Sequence, residues 1–151
     1  SIDKNQLAKI LSKKSKFQIN GVSPDEYPEV IKKSDEKHLS INQEELLNAI
    51  SLTSFATSKF ESNSILSGAN FEIEGNKFEI GATDGSRLAR YQGKLSEGCS
   101  SKQKQSVVIP GRALIELERL VNSFKEGNEL IEFYFLPGQV VFQNNDFTMS
   151  T

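Results

Sequence analysis

Tryptophan is absent from the sequence, and cysteine, histidine and methionine each occur once. A single Cys99 excludes an intramolecular disulfide framework and fits a reducing compartment. The single His38 excludes a histidine-rich metal site. No apolar run approaches the roughly 18 residues of a membrane-spanning helix. Ser1 opens the chain without a basic stretch followed by an apolar one, so no secretory leader is expected. The missing initiator Met points to a piece cut from a longer chain. Phosphate-binding glycine loops, dinucleotide fingerprints and the serine elbow of hydrolases are missing as well. Charge of one sign is also lacking: 18 basic and 20 acidic residues leave a net charge of −2. That excludes a grossly basic polyanion binder, but not a protein with its cations gathered on one face.

What is present suffices for a core. A chain of 151 residues buries roughly 68–70% of its unfolded surface without a disulfide or metal. Ten Phe and several branched runs supply the apolar bulk, although only 36% of residues are apolar.

Residues 1–37 differ from the rest. They are lysine-rich, their one clear strand signal is Lys16-Phe17-Gln18-Ile19, and Gly21 to Pro28 reads as loop or linker. They are either a solvated basic tail or the end of a preceding domain. From His38 the texture becomes that of a folded domain, residues 38–151. His38 to Ile41 alternates as a strand. Asn42 then suits a helix N-cap, with Glu45 at the capping-box position. The helix from Gln43 to about Ser58 puts Leu46, Ala49, Ile50, Thr53 and Ala56 on one face, and Lys59 near its C-terminus suits the helix dipole. Strands follow at Ser64–Glu74, Asn76–Thr83 and Leu88–Leu95, with turns at Gly75 and Asp84-Gly85-Ser86. Ser96 to Lys104, with an exposed Cys99, reads as a loop. Gln105–Ile109 is a strand stopped by Pro110, and a helix runs from Gly111 to Phe124, ended by Gly127-Asn128. Glu129–Leu136, Gln139–Gln143 and Asp146–Thr151 complete the pattern. The order is α+β with antiparallel sheet, built as a duplicated β-α-β-β-β unit with its helices on one side.

Few residues can carry chemistry. On the second helix, Arg112, Glu116 and Arg119 form a polar stripe opposite Leu114, Leu117, Leu120, Val121 and Phe124. Either the stripe is a solvated face with an Arg112–Glu116 pair, or it is a cationic face whose two Arg reach phosphates about 10 Å apart. In Gly81 to Ala89, Asp84 could act as a nucleophile or base with Arg87 as an anion clamp. No second carboxylate or histidine supports it, and a turn capped by Asp84 is favoured. Tyr27, Tyr91 and Tyr134 are scattered and give no stacking platform.

Five stretches, in order, resemble the bacterial sliding clamp family, the beta subunit of DNA polymerase III. They are Phe17-Gln18-Ile19 with Asp25-Glu26-Tyr27-Pro28, then Gln43-Glu44-Glu45-Leu46-Leu47 with Phe55-Ala56-Thr57-Ser58, then Ile65-Leu66-Ser67-Gly68. Ala82-Thr83-Asp84-Gly85-Ser86-Arg87-Leu88-Ala89 is the most specific, and Val108-Ile109-Pro110-Gly111-Arg112-Ala113 with Glu116-Leu117 is the last. The resemblance implies the DNA clamp fold. Residues 1–37 would be the tail of the first domain and its linker, and 38–151 the middle domain. It implies a non-enzymatic, cytoplasmic processivity factor, without cofactor or metal. The complete protein would close as a homodimeric ring around double-stranded DNA, with cationic helix faces toward the channel. Lys59, Arg112 and Arg119 would face the DNA. Leu66, Thr83, Gly85, Ser86, Arg87 and Leu88 would form half of a pocket for peptides of polymerase, clamp loader and repair factors. Two positions depart from the family. Ser86 replaces a histidine found in some members, which implies a different partner preference. Phe60 to Ser64 departs from the basic and aromatic loop that some members use to touch DNA. Two other readings remain open at this stage, an autonomous peptide-binding module and a small Asp84-based hydrolase.

Overall fold

The computed structural model describes residues 7–13, 15–26, 38–59, 65–124 and 129–151. The chain divides into two units, Ser1–Ser34 and Asp35–Thr151. In the first, β1 (Leu7–Ser12) pairs antiparallel with β2 (Ser15–Asn20), setting Ile10 opposite Phe17. Lys13 turns the hairpin at φ 47°. A short 3-10 turn, Pro24–Glu26, follows. The sequence signalled only β2, because Leu7-Ala8-Lys9-Ile10-Leu11 does not alternate. The expected loop up to Pro28 lies partly outside the described residues.

The second unit runs β3 (Leu39–Asn42), α1 (Gln43–Ser51), a 3-10 turn (Ser54–Ala56), β4 (Gly68–Gly75), β5 (Lys77–Thr83) and β6 (Leu88–Lys94). It continues with β7 (Ser101–Pro110), α2 (Gly111–Ser123), β8 (Leu130–Leu136), β9 (Gln139–Gln143) and β10 (Thr148–Ser150). Two four-stranded antiparallel sheets result, ordered β10-β9-β8-β3 and β6-β5-β4-β7. Each strand–helix–three-strand repeat gives its first strand to the other repeat's sheet. Thus Ile41 in β3 pairs with Ile131 in β8, and Ile109 in β7 pairs with Ala69 in β4.

Strand alternation decides what enters the core. Along β4, Ala69, Phe71 and Ile73 are buried while Asn70 is exposed; along β5, Phe78, Ile80 and Ala82 are buried. Phe71 stands at the centre, with ring centroids 5.4 to 6.2 Å from those of Phe78, Phe133, Phe135 and Phe142. Helix α1 buries Leu46, Ala49 and Ile50 against this core, and α2 buries Leu114, Leu117 and Val121. Gln43 Nε2 donates to the Val121 carbonyl at 3.1 Å and ties the helices together. Gly93 is required in β6, because a Cβ there would overlap the Phe78 ring.

The Asn42 cap forms as expected, its side-chain oxygen accepting the Glu44 N–H at 2.9 Å. Glu45 turns toward Tyr91 on β6, and burial, with Glu45 adding to it, holds the Tyr91 hydroxyl pKa above the ordinary value. Helix α1 stops at Ser51 and not near Ser58. The buried Thr53 hydroxyl donates to the Ala49 carbonyl at 2.6 Å, and a Ser-Leu-Thr-Ser run favours such local bonds over helix. Thr53 and Ala56 are still buried, as the helical spacing implied, but they sit in the turns that follow. Lys59 therefore does not cap a helix. β4 starts at Gly68, after a turn through Ile65–Ser67, rather than at Ser64. β7 begins at Ser101, inside the expected loop, because pairing with β4 and an ion pair from Lys104 Nζ to Glu72 Oε1 at 2.7 Å organise a polar strand. Cys99 is not exposed. It is half-buried against the core, its Sγ 3.2 Å from Ser40 Oγ. The Gly127-Asn128 helix stop lies outside the described residues.

Replacing Phe71 with Ala should cost about 3–5 kcal/mol, the range for removing a buried aromatic ring. Urea unfolding of the variant checks this, and a loss under about 1 kcal/mol would show that Phe71 is not the centre of the core.

Candidate functional site

Two surfaces of the second unit collect the residues singled out by the sequence. The first is the outer face of α2. Because Leu114, Leu117 and Val121 are buried, Arg112, Glu116 and Arg119 must point away from the core, and all three are exposed. Arg112 and Arg119 are seven residues apart, which is about 10 Å along the axis and nearly the same angle around it. Arg119 Nη1 donates to Glu116 Oε1 at 2.7 Å, an ion pair between residues three positions apart on this face. An exposed pair of this kind contributes only a few tenths of a kcal/mol.

Gly111 explains why Lys59 joins this face. Its N–H donates to the Ser67 carbonyl at 2.9 Å, and a Cβ at this position would stand 2.7 Å from Thr57 Oγ1. Only glycine lets the start of α2 come so close to the segment around Thr57. The result is a groove of about 470 Å³, with Lys59 and Arg112 lining it alongside Phe55, Thr57 and Ile115. The α2 N-terminus adds its own partial positive charge. Helix α1 differs from expectation. Its exposed positions are Glu44, Asn48 and Ser51, and it carries no Lys or Arg, so among the described residues the cations here come from α2 and Lys59. The Phe60–Ser64 loop lies outside the described residues.

The second surface is the turn from Thr83 to Leu88. Asp84 Oδ1 accepts the Ser86 N–H at 3.0 Å and the Arg87 N–H at 3.1 Å, and Asp84 Oδ2 accepts Arg87 Nε at 2.9 Å. Thr83 Oγ1 accepts the Gly85 N–H and donates to the Arg87 carbonyl at 2.7 Å, while Gly85 takes φ 91°. This is the capped turn, and its hydrogen bonds occupy the carboxylate that a hydrolase would need. The amides of Ser86 and then Arg87, with the Arg87 side chain, hold the Asp84 carboxyl below its ordinary pKa. Arg87 lies over the Phe55 ring, Cζ 5.5 Å from its centroid. Phe55 is 56% exposed and Leu88 74% exposed, a large apolar area beside the turn. Leu66 is half-buried, its carbonyl accepting the Ser58 N–H at 2.7 Å. The sequence reading placed Phe55 on a helix and missed it as a neighbour of Arg87. Its signal was a large aromatic outside the buried stripe of Leu46, Ala49, Ile50, Thr53 and Ala56.

The remaining features are structural. His38 Nδ1 is 3.2 Å from Glu132 Oε2 and 3.0 Å from Gln143 Nε2, and the ring stacks on Tyr134. A larger cavity of about 570 Å³, lined by Glu45, Lys77, Lys94 and Glu97 among others, mixes both charge signs and holds none of the residues expected to meet DNA or peptide. Among the described residues no cluster of three or more His, Cys, Asp and Glu could hold a metal, and no helix is long and apolar enough to cross a membrane.

Residues 40–151 match the family described as DNA polymerase III beta subunit, central domain. The chain is 34% identical over 134 residues to the beta sliding clamps of Staphylococcus epidermidis and Staphylococcus aureus, covering 89% of this chain and 34% of each relative. It thus spans about a third of the length of these curated relatives. The DNA polymerase sliding clamp from Bacillus subtilis superposes with a TM-score of 0.81 at 30% identity, over 100% of this chain and 38% of that one. The beta subunit of Streptococcus pyogenes DNA polymerase gives 0.75 at 26% identity, over 100% and 39%. The DNA polymerase III beta subunit of Thermotoga maritima shares the fold at 20% identity, with a TM-score of 0.74 over 100% and 39%.

A group with a lowered folded pKa stabilises above its unfolded pKa and loses that contribution as pH falls through the folded value. The Ser86 and Arg87 amide shifts should therefore stay constant as pH falls from neutral into the ordinary aspartate range and titrate together only below it. The same amides should lose hydrogen-exchange protection in Asp84→Ala. NMR reads both, and amides indifferent to pH and to the substitution would remove Asp84 as the organiser of the turn.

Proposed function

The chain belongs to the DNA polymerase III beta subunit family through its central domain, and on that premise we propose that it is the middle part of a ring-forming DNA sliding clamp. Residues 38–151 form the middle clamp domain in this reading, and residues 1–37 the tail of the preceding domain with its linker. The complete protein closes as a homodimeric ring around double-stranded DNA and tethers the replicative polymerase. It is not an enzyme, and it works in the bacterial cytoplasm. Its chemistry is that of contact and enclosure. A closed ring leaves circular DNA only by opening, so its inner face needs no tight grip.

The observation that carries this reading is the placement of Arg112 and Arg119 on one exposed face of α2, with Lys59 in the same groove as Arg112. Three cations at this spacing suit phosphates of any sequence, because phosphate contacts position a protein without reading bases. Glu116 on the same face weakens the attraction, which suits sliding. A net charge of −2 is no obstacle, since what matters is the local face. The second surface, with Leu66, Thr83, Gly85, Ser86, Arg87 and Leu88, serves as half of a pocket for peptides of polymerase, clamp loader and repair factors. Exposed apolar walls with a few fixed polar groups suit a leucine or aromatic anchor. The Asp84-based hydrolase finds no support, because the Asp84 oxygens are occupied within the turn.

In the full-length protein, Arg112→Glu with Arg119→Glu should reduce loading on primed circular DNA and weaken the salt dependence of that loading, while rings already loaded stay on the circle. Each lost phosphate contact should flatten the salt slope by about 0.9. Dimer mass should be unchanged. Wild-type loading and an unaltered slope would place these arginines away from DNA and favour a peptide-binding module that never meets it.

A further inference from the structure

The Thr83–Leu88 turn contains a charge arrangement that clamp closure does not use. Arg87 is exposed, 52% of its side chain reaching solvent, yet its guanidinium is already engaged. Asp84 Oδ2 accepts its Nε–H at 2.9 Å, and the Phe55 ring lies under Cζ at 5.5 Å. The other Asp84 oxygen is held by two backbone amides, so the carboxylate cannot rotate away. An arginine has five N–H donors, and Nε supplies one. Among the described residues, the four N–H groups on Nη1 and Nη2 meet no protein acceptor. The turn thus offers a planar set of donors with fixed orientation and almost no net charge.

Resting on the peptide-binding reading of this surface, we infer that Asp84 is a positioning residue that makes Arg87 a charge-neutral hydrogen-bond donor. The pocket then gives peptide segments flanked by acidic side chains no advantage over apolar segments with neutral acceptors. A carboxylate brought to the outer edge of Arg87 meets the guanidinium and, just behind it, Asp84. At solvent-exposed distances the two interactions nearly cancel. A backbone carbonyl or side-chain amide loses nothing by this arrangement, because its hydrogen bond is local and directional. Phe55 serves twice, as the plate that keeps the guanidinium flat and as an apolar wall for the anchor.

The test uses the full-length protein and two fluorescent peptides of equal length, both with a leucine and a phenylalanine anchor. One is flanked by glutamine and serine, the other by two aspartates. Anisotropy titrations of the wild type should give affinities within about twofold of each other, and little change between low and moderate salt. Asp84→Asn keeps the turn's acceptor but exposes the arginine charge. It should shift preference toward the acidic peptide by about threefold to fivefold, in a salt-sensitive way. Asp84→Glu should keep the wild-type pattern. A wild type that prefers the acidic peptide by more than about fivefold overturns the inference, as does an Asp84→Asn variant with unchanged discrimination. Should that variant not fold, the wild-type comparison alone decides. Leu66→Asp separates the two levels. If wild-type binding is lost in Leu66→Asp while Asp84→Asn changes nothing, only the charge-neutral inference fails. If neither peptide binds the wild type, the peptide reading fails and takes the inference with it.

Discussion

The exchange of first strands between the two repeats is the constraint from which the rest follows. Neither repeat can complete its sheet alone, because β3 belongs to the sheet of β8 and β7 to the sheet of β4. Ile41 and Ile109 each enter the core beside the opposite repeat, and both stand two residues before a helix begins. Both helices therefore start from fixed points and lie over the same aromatic cluster around Phe71. Once the inner stripe of α2 is committed to that core, the direction of Arg112 and Arg119 is decided. The face proposed to meet DNA is a consequence of what the opposite face buries.

A local constraint adds the third cation. Gly111 has room for no side chain, because Thr57 and the Ser67 carbonyl approach the start of α2 there. That approach folds the segment after α1 back onto α2 and sets Lys59 beside Arg112. The same segment puts Phe55 under Arg87, so one stretch, Ser54 to Lys59, contributes to both surfaces. The electrostatics remain modest. The α2 charges balance, with Arg112 and Arg119 against Glu116 and Glu118, and α1 adds only acids in its first turn. A protein that held DNA by attraction alone would be poorly served by this face. One that holds it by enclosure needs no more.

Much of this was legible in the sequence because the signals were local. Asn42, Gly75, Gly85 and Pro110 mark ends and turns whose chemistry depends on a few neighbours. The buried stripes of α1 and α2 follow from spacing alone. The Asp84 turn could be read because aspartate before glycine and serine favours such a turn. What could not be read depended on distant partners. Thr53 ends α1 through a hydroxyl that is buried only in the fold. Ser101 to Lys104 becomes strand because β4 and Glu72 are there to pair with it. Cys99 sits against Ser40 across fifty-nine positions of sequence. Phe55 as the plate beneath Arg87 required knowing that α1 stops early.

The central claim is enclosure without grip, and topology tests it directly. Full-length protein loaded on a closed circular duplex should persist through a rise in salt and leave within moments of a single double-strand cut, whatever the DNA sequence. Retention on the cut, unblocked duplex equal to that on the circle would mean the protein is held by binding, and the ring account would be wrong.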